Sequence, residues 1–444
     1  MKQNLRWLQD SSIEKKLFIV LIAATAIIGC RKQSGFPMNF PPSQYSSDVI
    51  DKWMTLEIRF YKDATGIGNG AFSRPFAYSG ISAYESTDPG LLSWKQQYNG
   101  LTNLPETEKS KKYNWPASVN ASLAEFNRSF FTSANLNATD LAAIDSLENA
   151  INATFASENP ETISRSVAFG KSIADAIFAW SLTDGYIQNN AMAYTPPVGI
   201  GLWVPTSPAP AAGPFWGNDR RIIAGSGDND APGAPIAYSV NPGSDFYKEV
   251  NDLYQASKVL TTDQKNMALF WRDVPGVSTP GHWMSITQQA IRQSKSMLDK
   301  AALGYALGGI CMNEAVITVF HYKYVYNQVR PITYIRNVIG DATWSPFIPT
   351  PNHPEYPAAH AVISASAAEG LTAAFGNIGP LTDHTWDYLG FPARTFSTFH
   401  EFALDAGNSR FYGGIHYQPS INTGLKVGTT VGDNVVNSLS RFSK

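Results

Sequence analysis

A chain of 444 residues that is 43% hydrophobic and 16% charged is long enough to bury a large core and too apolar to be intrinsically disordered. Its net charge of −2 gives no basis for nucleic acid as a partner, so basic residues of interest must belong to a local site.

In chain order, Lys15-Lys16 is followed by the apolar run LFIVLIAATAII and then Gly29-Cys30. The run is short for a spanning helix and fits the apolar part of a secretory signal over residues 1–29. A small residue directly before Cys resembles the ending of a bacterial lipoprotein signal, the alternative being an ordinary signal peptide or membrane anchor with an incidental Cys. Cys30 is therefore the expected lipidation site, which anchors the protein to a membrane of the cell envelope, outside the cytoplasm. Cys311 would then be the one remaining cysteine, which excludes an internal disulfide. It sits in the apolar run YALGGICMNEAVITVF and reads as a small core residue.

Apolar residues recur at helical intervals over Ser46 to Asp63, Ala71 to Tyr84, Ala117 to Phe131, Asp140 to Phe155 and Pro160 to Asp184. Pro160 suits a first helical position. No sustained strand-type alternation is present, so the expected fold class is all-α, with residues 30–185 as an N-terminal helical region. Residues 186–244 turn to Pro, Gly, Ala, Asn and Asp. A loop this long is functional or a linker, and its tryptophans and Tyr194 pack it either as a lid or as a tie between helical layers. The helical pattern resumes at Phe246, and residues 245–444 read as a bundle that carries the site and continues the same body.

Three stretches of that bundle carry chemistry: KYVYNQVRP from Lys323, PAAH from Pro357 and SRFYGGIH from Ser409. Lys323 and Arg330 are seven residues apart, which on one helix makes a cationic stripe, with Asn327 on the same face to orient either. His360 precedes a small-residue helical run and falls in its first turn, where free N–H groups attract anions. Arg410 ends another run, and Gly413-Gly414 turns His416 back toward the same centre. Two His and three cations around one point suit a tetrahedral oxyanion. His360 is the candidate general acid and base. His353 is placed to line the entrance to the site, and Glu355 and Asp383 are acidic candidates for supporting roles. His282, His321, His384 and His400 read as packing or hydrogen-bonding residues.

The three stretches resemble the superfamily that joins type 2 phosphatidic acid phosphatases and vanadium-dependent haloperoxidases, with its pattern Lys-x6-Arg-Pro, Pro-Ser-Gly-His and Ser-Arg-x5-His-x3-Asp. RPFAYSGISAYES from Arg74, GHW from Gly281, PNHPEYPAAH from Pro351 and TDHTWDYLGFPARTF from Thr382 are similar to its bacterial haloperoxidase-like branch. The resemblance implies a helical bundle of the haloperoxidase and acid phosphatase type, with the anion inside a four-helix core. It implies Lys323, Arg330, Ala359, His360 and Arg410 around the oxyanion, and His416 as ligand to vanadate or as nucleophile toward phosphate. The favoured reading is a haloperoxidase using vanadate, hydrogen peroxide and halide. A phosphatase acting on a small phosphoester through a phosphohistidine, and a non-catalytic oxyanion-binding lipoprotein, are the alternatives. Ala358 and Ala359 stand where the pattern has Ser and Gly, and Ser420 where it has Asp. The expectation from Ser420 is that His416 lacks an orienting carboxylate and that Ser420→Asp strengthens vanadate binding or turnover.

Overall fold

Capping side chains open six of the fourteen α-helices among the described residues. The structure is a computed structural model describing residues 39–87 and 94–440, so Cys30 and the signal segment lie outside the described residues. Helices α1 (Asp48–Asp63), α2 (Ser73–Glu85), α3 (Trp115–Phe130), α4 (Ala138–Ala153) and α5 (Pro160–Ser181) lie where periodicity places them. Asn114, Asn137 and Asn159 accept hydrogen bonds from first-turn amides of α3, α4 and α5, satisfying donors that a helix start leaves free. The 186–244 segment holds one short α-helix, α6 (Tyr186–Asn190), and a 3-10 turn at Trp216–Asn218. Beyond it come α7 (Asp245–Lys258), α8 (Thr262–Phe270) with a Thr261–Gln264 capping box, and α9 (Ser278–Gln293).

The long α10 (Leu298–Tyr326) is apolar on all sides and is the core helix. Among the described residues it alone is long and apolar enough to cross a membrane, but 94% of that window is buried inside the protein. It packs along α2 so closely that a Cβ at Gly309 would lie 2.6 Å from Ala77 Cα. Then follow α11 (Pro331–Tyr334), which runs into a π-helical turn, α12 (Ala359–Phe375), α13 (Phe399–Tyr412) and α14 (Gln418–Ser440). The helical pattern is not continuous through the motif regions: residues 340–358 are irregular, and a three-residue pair of antiparallel strands, β1 (Leu381–Asp383) and β2 (Arg394–Phe396), follows α12.

Among the described residues, 40–87, 94–108 and 113–440 make one compact unit. Its main apolar core draws on both halves of the chain, from Trp53 and Phe76 to Ile310, Leu371 and Val431. Asn39 and residues 109–112 belong to a separate small unit, in which Asn39 Nδ2 donates to the Lys111 carbonyl at 3.1 Å. The 186–244 segment is a packed strap within the main unit. Glu314 of α10 accepts from the Ile222 and Ile223 amides and the Ser226 hydroxyl, and Arg221 donates to Asp230 and Thr318, both at 2.9 Å.

Candidate functional site

Lys323 and Arg330 do not form a stripe on one helix. Helix α10 stops at Tyr326, Asn327 takes a left-handed φ of 47°, and Arg330 is extended at φ −77°, ψ 152°. The residue before proline is driven out of the helical region by the pyrrolidine ring, and Pro331 follows Arg330. Asn327 is thus the helix cap and orients neither cation; its amide donates to the Lys323 carbonyl and its own carbonyl accepts from Trp203.

Both cations are fully buried. Lys323 Nζ donates to the carbonyls of Pro354 (3.0 Å), Glu355 (2.9 Å) and Pro357 (2.6 Å). Burial, then Arg330, presses its pKa well down, yet three acceptors need three N–H groups, which is the ammonium form. Lys323 therefore ties down the loop before α12 with all of its donors. Arg330 bridges two histidines. Its Nε donates to the His353 carbonyl and its Nη1 to that of Ile415, both at 2.8 Å; Nη1 lies 3.1 Å from His416 Nε2 and Nη2 lies 2.9 Å from His353 Nδ1. A guanidinium only donates, so both of those ring nitrogens present lone pairs.

Gly414, at φ +77°, lets the chain reverse after α13 and return His416 to this centre. The other nitrogen of His416, Nδ1, donates to Glu355 Oε1 at 2.8 Å, and the Tyr417 amide donates to the same oxygen at 3.0 Å. The expectation that His416 lacks a carboxylate is overturned: Glu355 supplies it from the loop before α12, not from position 420. Ser420 is buried and its hydroxyl has no hydrogen bond within the usual distance, although it lies close enough to Glu355 to ease that carboxyl's ionisation a little. Burial pushes Glu355 up to about 7 against the pull of Lys323 and Arg330. Burial, then Arg330 and Lys323, pushes His416 well down, so its ring is neutral.

Helix α12 starts without a side-chain cap, because Ala358 has no polar atom to offer. Its first-turn amides keep their donors for an anion. Ala359, His353, His360 and His416 all face one cavity of about 160 Å³, whose wall also includes Trp216 of the strap, Phe320 and Thr279. His360 Nε2 lies 2.9 Å from Asp273 Oδ2 and 3.2 Å from Thr279 Oγ1. Burial, then Arg410, lowers its pKa to about 4. Arg410, in the last turn of α13, is held by Ser409 Oγ (2.9 Å) and the Ala268 carbonyl (3.4 Å). Its Nη1 has no hydrogen bond among the described residues. An unprotonated His416 Nε2 that can bond the central atom and uncapped amides beside His360 meet at the cavity, with Arg410 near enough to act on His360, so these residues fit vanadate.

Residues 304–444 match the family described as the VCPO second helical-bundle domain. A solved bacterial vanadium-dependent iodoperoxidase is similar with a TM-score of 0.79 and 31% identity, over 89% of this chain and 97% of that one. The chain belongs to the vanadium-dependent haloperoxidase family. Holo- and apo-type bacterial vanadium-dependent chloroperoxidases share the fold, at 16% and 15% identity with TM-scores of 0.57 and 0.61, each over 85% of this chain and 93% and 95% of theirs. No curated protein sequence matches it.

Within this haloperoxidase, the histidines named from sequence meet at the cavity, while Lys323 and Arg330 stand behind its wall and act through the loop and the imidazoles. Sequence reasoning missed Asp273 and Thr279. Thr279 places a hydroxyl on the cavity wall, which Ala358 and Ala359 do not. Neither residue carries a local signal; the left-handed turn at Asp273, with φ 63°, is visible only in the fold.

Proposed function

We propose that the protein oxidises halide with hydrogen peroxide while holding vanadate at His416. The observation that carries this is the fixing of one imidazole from both sides. Glu355 accepts a hydrogen bond from Nδ1–H, which leaves the Nε2 lone pair beside the cavity, and Arg330 Nη1, 3.1 Å from Nε2, would yield that contact to bound vanadate. Vanadate, when bound, supplies a Lewis-acidic centre that polarises hydrogen peroxide toward attack by halide. Arg410 offsets the oxyanion's charge, Arg330 adds to that field from behind the wall, and the α12 amides add donors. His360, neutral near pH 7, takes up and returns protons at Nδ1, which has no protein partner among the described residues. Trp216, Phe320 and Ile363 limit the water around the halide. Halide, hydrogen peroxide and one proton give hypohalous acid and water, so the cycle consumes a proton that the site must deliver. Iodide, the least strongly hydrated of the common halides and the substrate named for the 31%-identical structure, is the first to test.

The test is a pair of assays on one purified sample. Iodide oxidation with added vanadate and peroxide is expected, and hydrolysis of a generic phosphomonoester without them should be weak. Phosphatase turnover alone would replace this reading with the phosphohistidine one, and failure of both with phosphate still bound would leave an oxyanion-binding protein.

We further propose that Cys30 is lipidated and holds the enzyme at a membrane of the cell envelope. The support is the apolar run ending in Gly29-Cys30. Cys30→Ser should leave the protein unprocessed or released; unchanged processing and membrane attachment would refute the anchor.

A further inference from the structure

Beyond Asp273 the hydrogen-bonded chain continues to residues that the oxyanion site does not use. Asp273 Oδ1 lies 2.8 Å from His282 Nδ1, and His282 Nε2 lies 2.8 Å from Asp383 Oδ2. None of these three side chains has solvent exposure. Both ring nitrogens of His282 therefore face carboxylate oxygens. A neutral imidazole has one N–H and one lone pair, and would set that lone pair against a carboxylate; an imidazolium donates at both positions. The surroundings suit a cation. The Trp271 ring is stacked on His282 with centroids 4.4 Å apart, and Trp386 and Phe270 close the box at 5.3 and 5.4 Å. Asp383 is anchored through its other oxygen by the Thr385 amide (2.9 Å), the Thr385 hydroxyl (2.6 Å) and Gln289 (3.2 Å).

We propose that His282 and Asp383 are positioning residues acting through Asp273: the imidazolium between two carboxylates keeps Asp273 ionised and fixed, Asp273 holds the His360 proton on Nε2, and His360 meets the cavity with an unprotonated Nδ1. This rests on His360 being the proton-handling group of the proposed function. Asp273 spends both oxygens on the two imidazoles, and its left-handed backbone is one that a non-glycine residue keeps only when its surroundings impose it. Burial acts to lower the pKa of His282, but Asp383 and Asp273 outweigh it and carry it up to about 9. Burial acts to raise Asp273, but His282 and His360 hold it down to about 2. The other ionisable groups acting on His360 are Arg410 and His282, and His353 lies near enough to feel His360 in turn.

The test is a nitrogen-15 imidazole NMR titration of the full protein without added vanadate, so that its outcome does not depend on halide oxidation. At pH 7.5 His282 should carry protons on both nitrogens and His360 only on Nε2. In His282→Gln, His360 should become a mixture of Nδ1–H and Nε2–H forms. With vanadate restored, kcat should fall by about 10-fold or more while the KM for peroxide changes little, the range seen when a group orienting a site residue is lost. If that variant does not fold, Asp383→Asn should lower the His282 midpoint by about one pH unit or more, since it removes one of the two carboxylates. A neutral His282 at pH 7.5 in the unaltered protein overturns the proposal. So does a His282→Gln protein whose His360 stays wholly Nε2–H at full kcat, or an unchanged His282 midpoint in Asp383→Asn.

Discussion

Glu355 changes what the serine at 420 means. A carboxylate four residues after the ligand histidine is one way to hold its far nitrogen; here the same chemistry arrives from the loop before α12, 61 residues earlier in sequence. Ser420→Asp should therefore give no gain in vanadate affinity by calorimetry, because Nδ1 already has its acceptor and a second buried carboxylate beside Glu355 adds like-charge repulsion. Glu355→Gln should weaken vanadate binding by about 10–100-fold. A gain from Ser420→Asp together with no loss from Glu355→Gln would show that Glu355 does not orient His416. Arg410 is a simpler case. Removing its charge-assisted donor with Arg410→Ala should cost about 1.5–3 kcal/mol of anion binding, with the helical circular dichroism spectrum unchanged. Equal affinities would take Arg410 out of the site.

At the scale of elements, the helices of the first 185 residues were legible because periodicity and Asn caps agree. The end of α10 carried an equally plain signal in Asn327 and Pro331, and spacing alone was a poor guide to Lys323 and Arg330. The pairings of Glu355 with His416 and of Asp273 with His360 were not legible, since they join segments that only the fold brings together. The strap shows the same limit. Its composition says loop, but its order comes from Glu314, a fully buried carboxylate on α10 that collects two amides, a hydroxyl and Arg221. Glu314→Ala should lower the unfolding free energy by about 3–5 kcal/mol, as truncation of a buried ion-pair partner does. Because Trp216 of the strap lines the cavity, vanadate affinity should fall with it. Urea denaturation with an unchanged midpoint would mean that the strap is held elsewhere.

Across the whole molecule, the site joins parts of one core. The loop at Asp273, α9, β1 and α12 meet through Asp273, His282, Asp383 and His360, so ionisation there is linked to global stability. His282 is raised from 6.5 to about 9 in the folded protein. A raised imidazole contributes stability that is complete below its unfolded pKa and is lost as pH rises through its folded one. The unfolding free energy should thus fall by about 3 kcal/mol between pH 6.5 and 9.5, and Asp383→Asn should flatten that fall. Urea denaturation series that do not differ between the two proteins would contradict the linkage.

The central claim, that His416 holds the vanadate on which halide oxidation depends, is tested most directly by titrating vanadate into the purified protein while following iodide oxidation by hydrogen peroxide. Turnover should rise from near zero to saturation at one vanadate per chain, and His416→Ala should show no such rise. Turnover that needs no vanadate, or that survives unchanged in His416→Ala, would contradict it.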